Sequence, residues 1–166
     1  MTRINLVPVE ELSDQHLISE YRELPRVIKQ NINIKDAPKH YTLGKGHMKW
    51  AKKHSLFTLN RYMQLCDEMA YRGFKVNNDG DKLYRVWLRE GSPETDNLYD
   101  VTIYDMLKSR TRLIEKYKEK PEFYKWTKRK KPSYYDRPLD FKITWRGVIE
   151  IIIIAAIIMT AYMSWE

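Results

Sequence analysis

A single cysteine, Cys66, in 166 residues leaves no partner for an internal disulfide. No positively charged stretch followed by an apolar one opens the chain, so a small secreted scaffold is not expected and the protein should fold in a reducing compartment. Acid is in short supply: 22 Asp and Glu stand against 30 Lys and Arg, a net charge of +8. A phosphate-cradling glycine loop, a Ser-His-Asp set and a paired-carboxylate metal motif are all absent. His40, His47 and His54 recur at seven-residue intervals, but no cysteine pair accompanies them, so they read as loop positions rather than metal ligands. No metal or cofactor is expected.

What is present is a globular composition, 31% charged and 43% hydrophobic, enough for one compact domain with an appendage. The basic excess is local. Residues 104–146 carry 14 Lys and Arg against 6 Asp and Glu, whereas residues 147–166 carry only Glu150 and Glu166. The densest run, Lys125-Trp126-Thr127-Lys128-Arg129-Lys130-Lys131, is interleaved with Phe123, Tyr124, Tyr134 and Tyr135. Cations neutralise phosphates and flat rings stack on bases or sugars, so this mixture suits nucleic acid. On composition alone it suits a solvated basic tail or a patch against anionic lipid equally.

Apolar spacing predicts an all-α protein of three main helices joined by long loops. The first runs from Asp14 to about Gln30, capped by Ser13 or Asp14, with Leu17, Tyr21, Leu24 and Ile28 inward. Gln15, Ser19, Arg22 and Arg26 fall on another stripe with Glu23 beside it, a polar working face. Pro25 should kink this helix near Tyr21 to Pro25 or end it at Leu24. Residues 31–53 read as irregular, with a two-glycine loop, Leu43-Gly44-Lys45-Gly46-His47. The second helix is Ser55 to Arg72, with Leu56, Leu59, Met63, Cys66 and Ala70 on one face and Gly73 past its end. A short, extended Leu83 to Leu88 between turns follows. The third helix is Val101 to about Lys120, with Ile103, Leu107, Ile114 and Tyr117 inward and Pro121 as its stop.

Ile151 to Trp165 is uncharged. The stretch is borderline in length for a bilayer span, and Trp145-Arg146, Tyr162 and Trp165 resemble interfacial anchors. Residues 147–166 are therefore read as an apolar C-terminal helix that spans a membrane or packs on protein. Residues 1–131 form the domain and residues 132–146 a basic, aromatic linker.

The N-terminus carries a further possibility. A small second residue favours removal of Met1, and the exposed α-amine of Thr2 would titrate at about 7.7 to 8.0, far below lysine, leaving much of it neutral and nucleophilic. Arg3, Arg22 and Arg26 disfavour its ammonium form, and Glu23 can shuttle a proton or stabilise a developing cationic sugar.

The runs Met1-Thr2-Arg3-Ile4-Asn5-Leu6, Asp14-Gln15-His16-Leu17 and Glu20-Tyr21-Arg22-Glu23-Leu24-Pro25-Arg26-Val27 resemble the N-terminal signature of the phage pyrimidine-dimer DNA glycosylase/AP lyase family, the UV-repair endonuclease V type. The likeness continues sparsely through Leu43 to His47, Arg72-Gly73-Phe74, Arg112-Leu113, Glu115-Lys116, Pro121 and Tyr124-Lys125.

The resemblance implies an enzyme that excises the 5′ pyrimidine of a cyclobutane dimer in double-stranded, UV-damaged DNA, then nicks the strand by β-elimination. Thr2 would be the nucleophile and Glu23 the catalytic carboxylate. Arg22 and Arg26 would hold the lesion; Arg3, Gln15, His16, Arg112, Lys116 and the basic Lys125 would contact DNA or organise the site. It also implies a monomer that needs no cofactor, inside a bacterial cell whether host- or phage-encoded. The segment before the two-glycine loop is shorter than in the family prototype, residues 77–101 show little similarity, and the chain continues about 40 residues past the family's usual end. The rival reading is a binding-only protein tethered to a membrane by its last helix; the intact Thr2, Glu23, Arg22 and Arg26 favour the enzyme.

Overall fold

The structure, a computed structural model, describes residues 4–77, 80–90 and 97–137. Thr2, Arg3 and the apolar stretch within 147–166 lie outside the described residues. The first compact unit runs from Met1 to Tyr135. Among the described residues every regular element is helical, and no helix is long and apolar enough to cross a membrane.

Helix α1, Asp14–Glu23, starts at Ser13, whose Oγ accepts the His16 N–H at 3.3 Å. Ser13 is thus the cap, satisfying one of the donors left bare at a helix start. Leu24 keeps helical angles, but Pro25 has no N–H to give, and the chain restarts as α2, Pro25–Lys29, with proline at its first turn. The expected interruption therefore falls at Leu24. Leu17, Tyr21, Leu24 and Ile28 are buried as their spacing demands, while Ser19, Arg22 and Arg26 are exposed.

Two helices stand where the sequence reading placed loop or extended chain. Helix α3, His47–Lys53, begins after Gly46, whose φ of 92° is left-handed. A Cβ there would also meet Pro38 Cγ at 3.0 Å, so the position requires glycine. Helix α5, Gly80–Glu90, occupies the stretch read as turn and extended Leu83 to Leu88. Its buried Leu83 and half-buried Val86 and Trp87 follow a three- and four-residue step that six residues were too few to reveal.

Helix α4, Ser55–Arg72, lies at the centre, packed on α1, α2, α3 and α5, and ends at Gly73 with φ 83°. Its buried face is Thr58, Leu59, Tyr62, Leu65 and Met69 together with Arg61, Glu68 and Arg72. That corrects the expected face: Met63 is 44% exposed, Ala70 is exposed, and Leu56 and Cys66 are half-buried. The stripe is rotated because charged side chains occupy interior positions by pairing with one another.

Helix α6, Ile103–Glu119, opens with a reciprocal capping box between Thr102 and Asp105 and stops before Pro121. Its inward positions are Asp105, Ser109 and Leu113, with Ile114 and Tyr117 half-buried. Ile103 and Leu107 face outward at 68% and 51% exposure, against expectation. The polar inward positions are each engaged: Asp105 Oδ2 accepts from Tyr99 Oη at 2.8 Å, and Ser109 Oγ accepts the Leu6 N–H at 2.8 Å.

The aromatic part of the core gathers round Trp50, which is fully buried among Tyr41, His47, His54, Phe57 and Tyr99. The aromatic residues beyond α6 also serve packing: Trp126 and Tyr135 meet at 5.0 Å, and both rings meet Tyr117.

Candidate active site

The irregular segment Ile4–Val7 is buried against α1 and α6. Asn5 connects them. Its Nδ2 donates to Glu20 Oε2 at 2.6 Å, and its Oδ1 accepts from Arg112 Nη1 at 2.6 Å. Glu20 in turn accepts from Arg61 Nε at 2.9 Å, and Arg61 Nη1 donates to the Val7 carbonyl at 2.7 Å. A buried carboxylate is tolerable only when paired and hydrogen-bonded, and Glu20, at 2% exposure, is both.

This relay forms the floor of a cleft of about 250 Å³ lined by Asn5, His16, Ser19, Glu20, Glu23, Arg112 and Lys116. A neighbouring hollow of about 400 Å³ is lined by Gln15, Ile18, Ser19, Arg22, Glu23 and Phe123. Ser19 and Glu23 belong to both. Glu23 also accepts from Arg26 Nη1 at 2.9 Å, one turn along and on the exposed surface. Lys116 Nζ reaches the Glu119 carboxylate at 2.7 Å, an exposed pair of small energetic weight.

Residues 124–127 cross the start of α1. The Lys125 carbonyl accepts the Asp14 N–H at 2.7 Å, the Lys125 N–H donates to Gln15 Oε1 at 3.0 Å, and Thr127 donates through N and Oγ1 to the Asp14 carboxylate. Gln15 thus holds the basic tail, while the Lys125 side chain is exposed. Asp14, expected to be a helix cap, is instead the carboxylate that anchors this tail and pairs with Arg72 at 2.8 Å.

His16 stacks on Tyr124 with ring centroids 4.6 Å apart, and its Nδ1 lies 2.9 Å from Ser13 Oγ. Burial and the nearby Arg112 guanidinium push its pKa down to about 4, so the ring is neutral at neutral pH. Cationic character in the cleft therefore comes from Arg112 and Lys116. Among the described residues no group of three His, Cys, Asp or Glu is arranged to hold a metal ion.

Six of the expected site residues, Gln15, His16, Arg22, Glu23, Arg112 and Lys116, line the two hollows, with Arg26 and Lys125 attached to them. The family model described as pyrimidine dimer DNA glycosylase matches residues 1–81. Residues 1–81 belong to the pyrimidine dimer DNA glycosylase family. The family so described is one of DNA glycosylases, and the match covers 81 of the 166 residues.

The match ends within α5, so α6 and the tail stand outside it, although Arg112 and Lys116 complete the same cleft. Sequence reading missed Asn5 and Glu20 as lining residues, whereas Ser19 stood on the expected working face and Phe123 among the aromatics beside the basic run. Glu20 carried a signal: an acidic residue beside the apolar stripe of α1 and one turn before Glu23.

Proposed function

We propose that the protein is a bifunctional pyrimidine-dimer DNA glycosylase/AP lyase, acting as a monomer on UV-damaged duplex DNA. The observation that carries this is Glu23 on the wall shared by two hollows, with Arg22, Arg112 and Lys116 lining them, Arg26 paired to Glu23, and Asn5, three residues after Thr2, on the cleft floor. The neutral α-amine of Thr2 attacks C1′ of the 5′ nucleotide, forming an N–C bond as the C1′–N1 bond breaks and its electron pair leaves with the pyrimidine. Loss of an amine proton and opening of the sugar give an imine. Removal of a C2′ proton then expels the 3′ phosphate and nicks the strand. In this reading Glu23 holds the cationic sugar and moves these protons. Arg22, Arg26, Arg112 and Lys116 hold phosphates and lesion, with Arg3 beside the amine; extrusion of a weakly stacked base lets the hollows select damage.

Borohydride trapping on a duplex carrying one thymine dimer tests the reading, with Met1 removal checked by mass spectrometry. The expected adduct maps to Thr2, and Glu23→Gln should lower strand cleavage by about 100-fold or more while damage binding changes by under about threefold. Unchanged cleavage by Glu23→Gln, or no adduct from protein with a free Thr2 amine, would overturn the proposal.

A further inference from the structure

Amine chemistry requires residue 2 to be held at one place, and the residues that follow it are held almost wholly by side chains. Ile4, Asn5, Leu6 and Val7 are at most 4% exposed and belong to no helix, so their polar backbone groups need partners from elsewhere. The Ile4 N–H donates to His47 Nε2 at 2.9 Å, and the Ile4 carbonyl accepts from Tyr41 Oη at 2.7 Å. The Asn5 N–H donates to Glu20 Oε1 at 3.3 Å, the Leu6 N–H to Ser109 Oγ at 2.8 Å, and Arg61 donates to the Val7 carbonyl.

Among the described residues, His47 holds the backbone group nearest in sequence to the amine. A backbone N–H can only donate, so Nε2 carries no proton, and Nδ1–H must donate to the Thr42 carbonyl, 2.7 Å away. The ring is 1% exposed, braced edge-on by Tyr41 at 5.6 Å and stacked on Trp50 at 6.0 Å. Gly46, the glycine that allows α3 to begin beside Pro38, fixes where this ring stands. The motif Gly44-Lys45-Gly46-His47 therefore presents an acceptor to the N-terminal segment.

We propose that His47 is a positioning residue for the N-terminal amine. Two covalent steps tether residue 2 within roughly 7 Å of Ile4, so the point held by His47 limits where the amine can stand in the Glu23 cleft. The inference rests on the glycosylase/lyase reading and adds to it the residue that orders the nucleophile. Because the ring is buried, its loss should slow imine formation without weakening DNA binding.

The test pairs two substitutions in the full chain. Asn places its amide where Nδ1 stood, keeping the Thr42 contact but leaving Ile4 without an acceptor; Gln extends a carbonyl oxygen to where Nε2 stood. Single-turnover borohydride trapping at saturating abasic-site duplex should be about 30-fold slower for His47→Asn and within about fivefold of wild type for His47→Gln, since misplacement of a reacting group by an ångström costs on that order. Dimer-duplex affinity should stay within about threefold in both, with native circular dichroism. His47→Asn trapping at the wild-type rate would overturn the inference. So would equal losses in both variants accompanied by weaker binding or lost helicity, which would make His47 a core residue only. A wild-type protein that forms no imine would instead refute the glycosylase/lyase reading itself.

Discussion

Arg61 and Arg72 sit eleven residues apart on one face of α4, three helical turns, and do the same mechanical work in different surroundings. Each is buried and each ties the N-terminal segment to a carboxylate. Arg72 spends all five N–H donors: on Glu68, Asp14, and the Leu12, Val9 and Glu10 carbonyls. Glu68 is closed over by Arg129 at 2.7 Å; burial alone would raise its pKa, but hydrogen bonds from Arg129 and Arg72 hold it below the usual carboxylate range. Arg61 and Glu20 instead pass through Asn5 to Arg112 and an open cleft. Both networks have an open end, since Glu68 and Arg129 line a hollow of about 440 Å³; they differ in that Arg72 makes five hydrogen bonds, whereas the Arg61 network runs on to the cleft that Glu23 shares.

The sharpest way to break this comparison is to remove each arginine in turn. Arg72→Met takes one of two cations from Glu68 and the arginine from Asp14, and removes the donor shared by the Leu12, Val9 and Glu10 carbonyls; it should cost about 3–5 kcal/mol, read from urea midpoints. Arg61→Met takes the cation from Glu20 and the donor from the Val7 carbonyl, but Asn5 still donates twice to Glu20, so a loss of about 2–3 kcal/mol is expected. Equal losses would show that the number of hydrogen bonds made does not set the difference.

The same contrast explains what the sequence could reveal. Apolar spacing located α1, α4 and α6 and the exposed stripe of Ser19, Arg22 and Arg26, because burial of Leu17, Tyr21 and Leu24 follows the helical period. It misplaced the faces of α4 and α6, where Arg61, Glu68, Arg72, Asp105 and Ser109 point inward. A buried charge is indistinguishable in sequence from a surface one until its partner is known, and the partners of Arg61 and Arg72 outside α4 lie 41 to 63 residues away, as in Arg61–Glu20 and Arg72–Val9. The candidate site was legible through Glu23 and its arginines. Its floor, Asn5 and Glu20, was not: the place of Glu20 beside the apolar stripe hinted at burial, but its partners Asn5 and Arg61 lie 15 and 41 residues away.

A smaller effect distinguishes cations that rim the hollows about Glu23 from a cation already paired with Glu68. Arg22→Ala and Arg26→Ala should each weaken dimer-duplex binding by about tenfold and flatten the log–log salt dependence of affinity by roughly 0.9. Arg129→Gln removes an equal charge, but one already held by both Glu68 oxygens, so the salt slope should be unchanged. That qualifies the expectation that the basic run contacts phosphate throughout. A slope change for Arg129→Gln matching that of Arg22→Ala would show the Arg129–Glu68 pair opening on DNA.

The smallest effect concerns the one titrating ring in the cleft. Unfolded His16 should titrate near 6.5 and native His16 near 4, so between those values the unfolded chain holds the extra proton. Stability from this group is full above about pH 6.5 and is lost as pH falls toward 4. Between pH 7 and pH 6 the loss is under about 1 kcal/mol. His16→Phe keeps a ring against Tyr124 but cannot titrate, so its stability should fall less over that interval. His54, whose burial also lowers its pKa, contributes equally to both proteins and cancels. Parallel slopes for the two proteins would mean that His16 takes up its proton at the same pH folded as unfolded, so that below about pH 6.5 the cleft carries a third cation beside Arg112 and Lys116. The salt dependence of DNA binding should then steepen below pH 6.5 in the wild type alone.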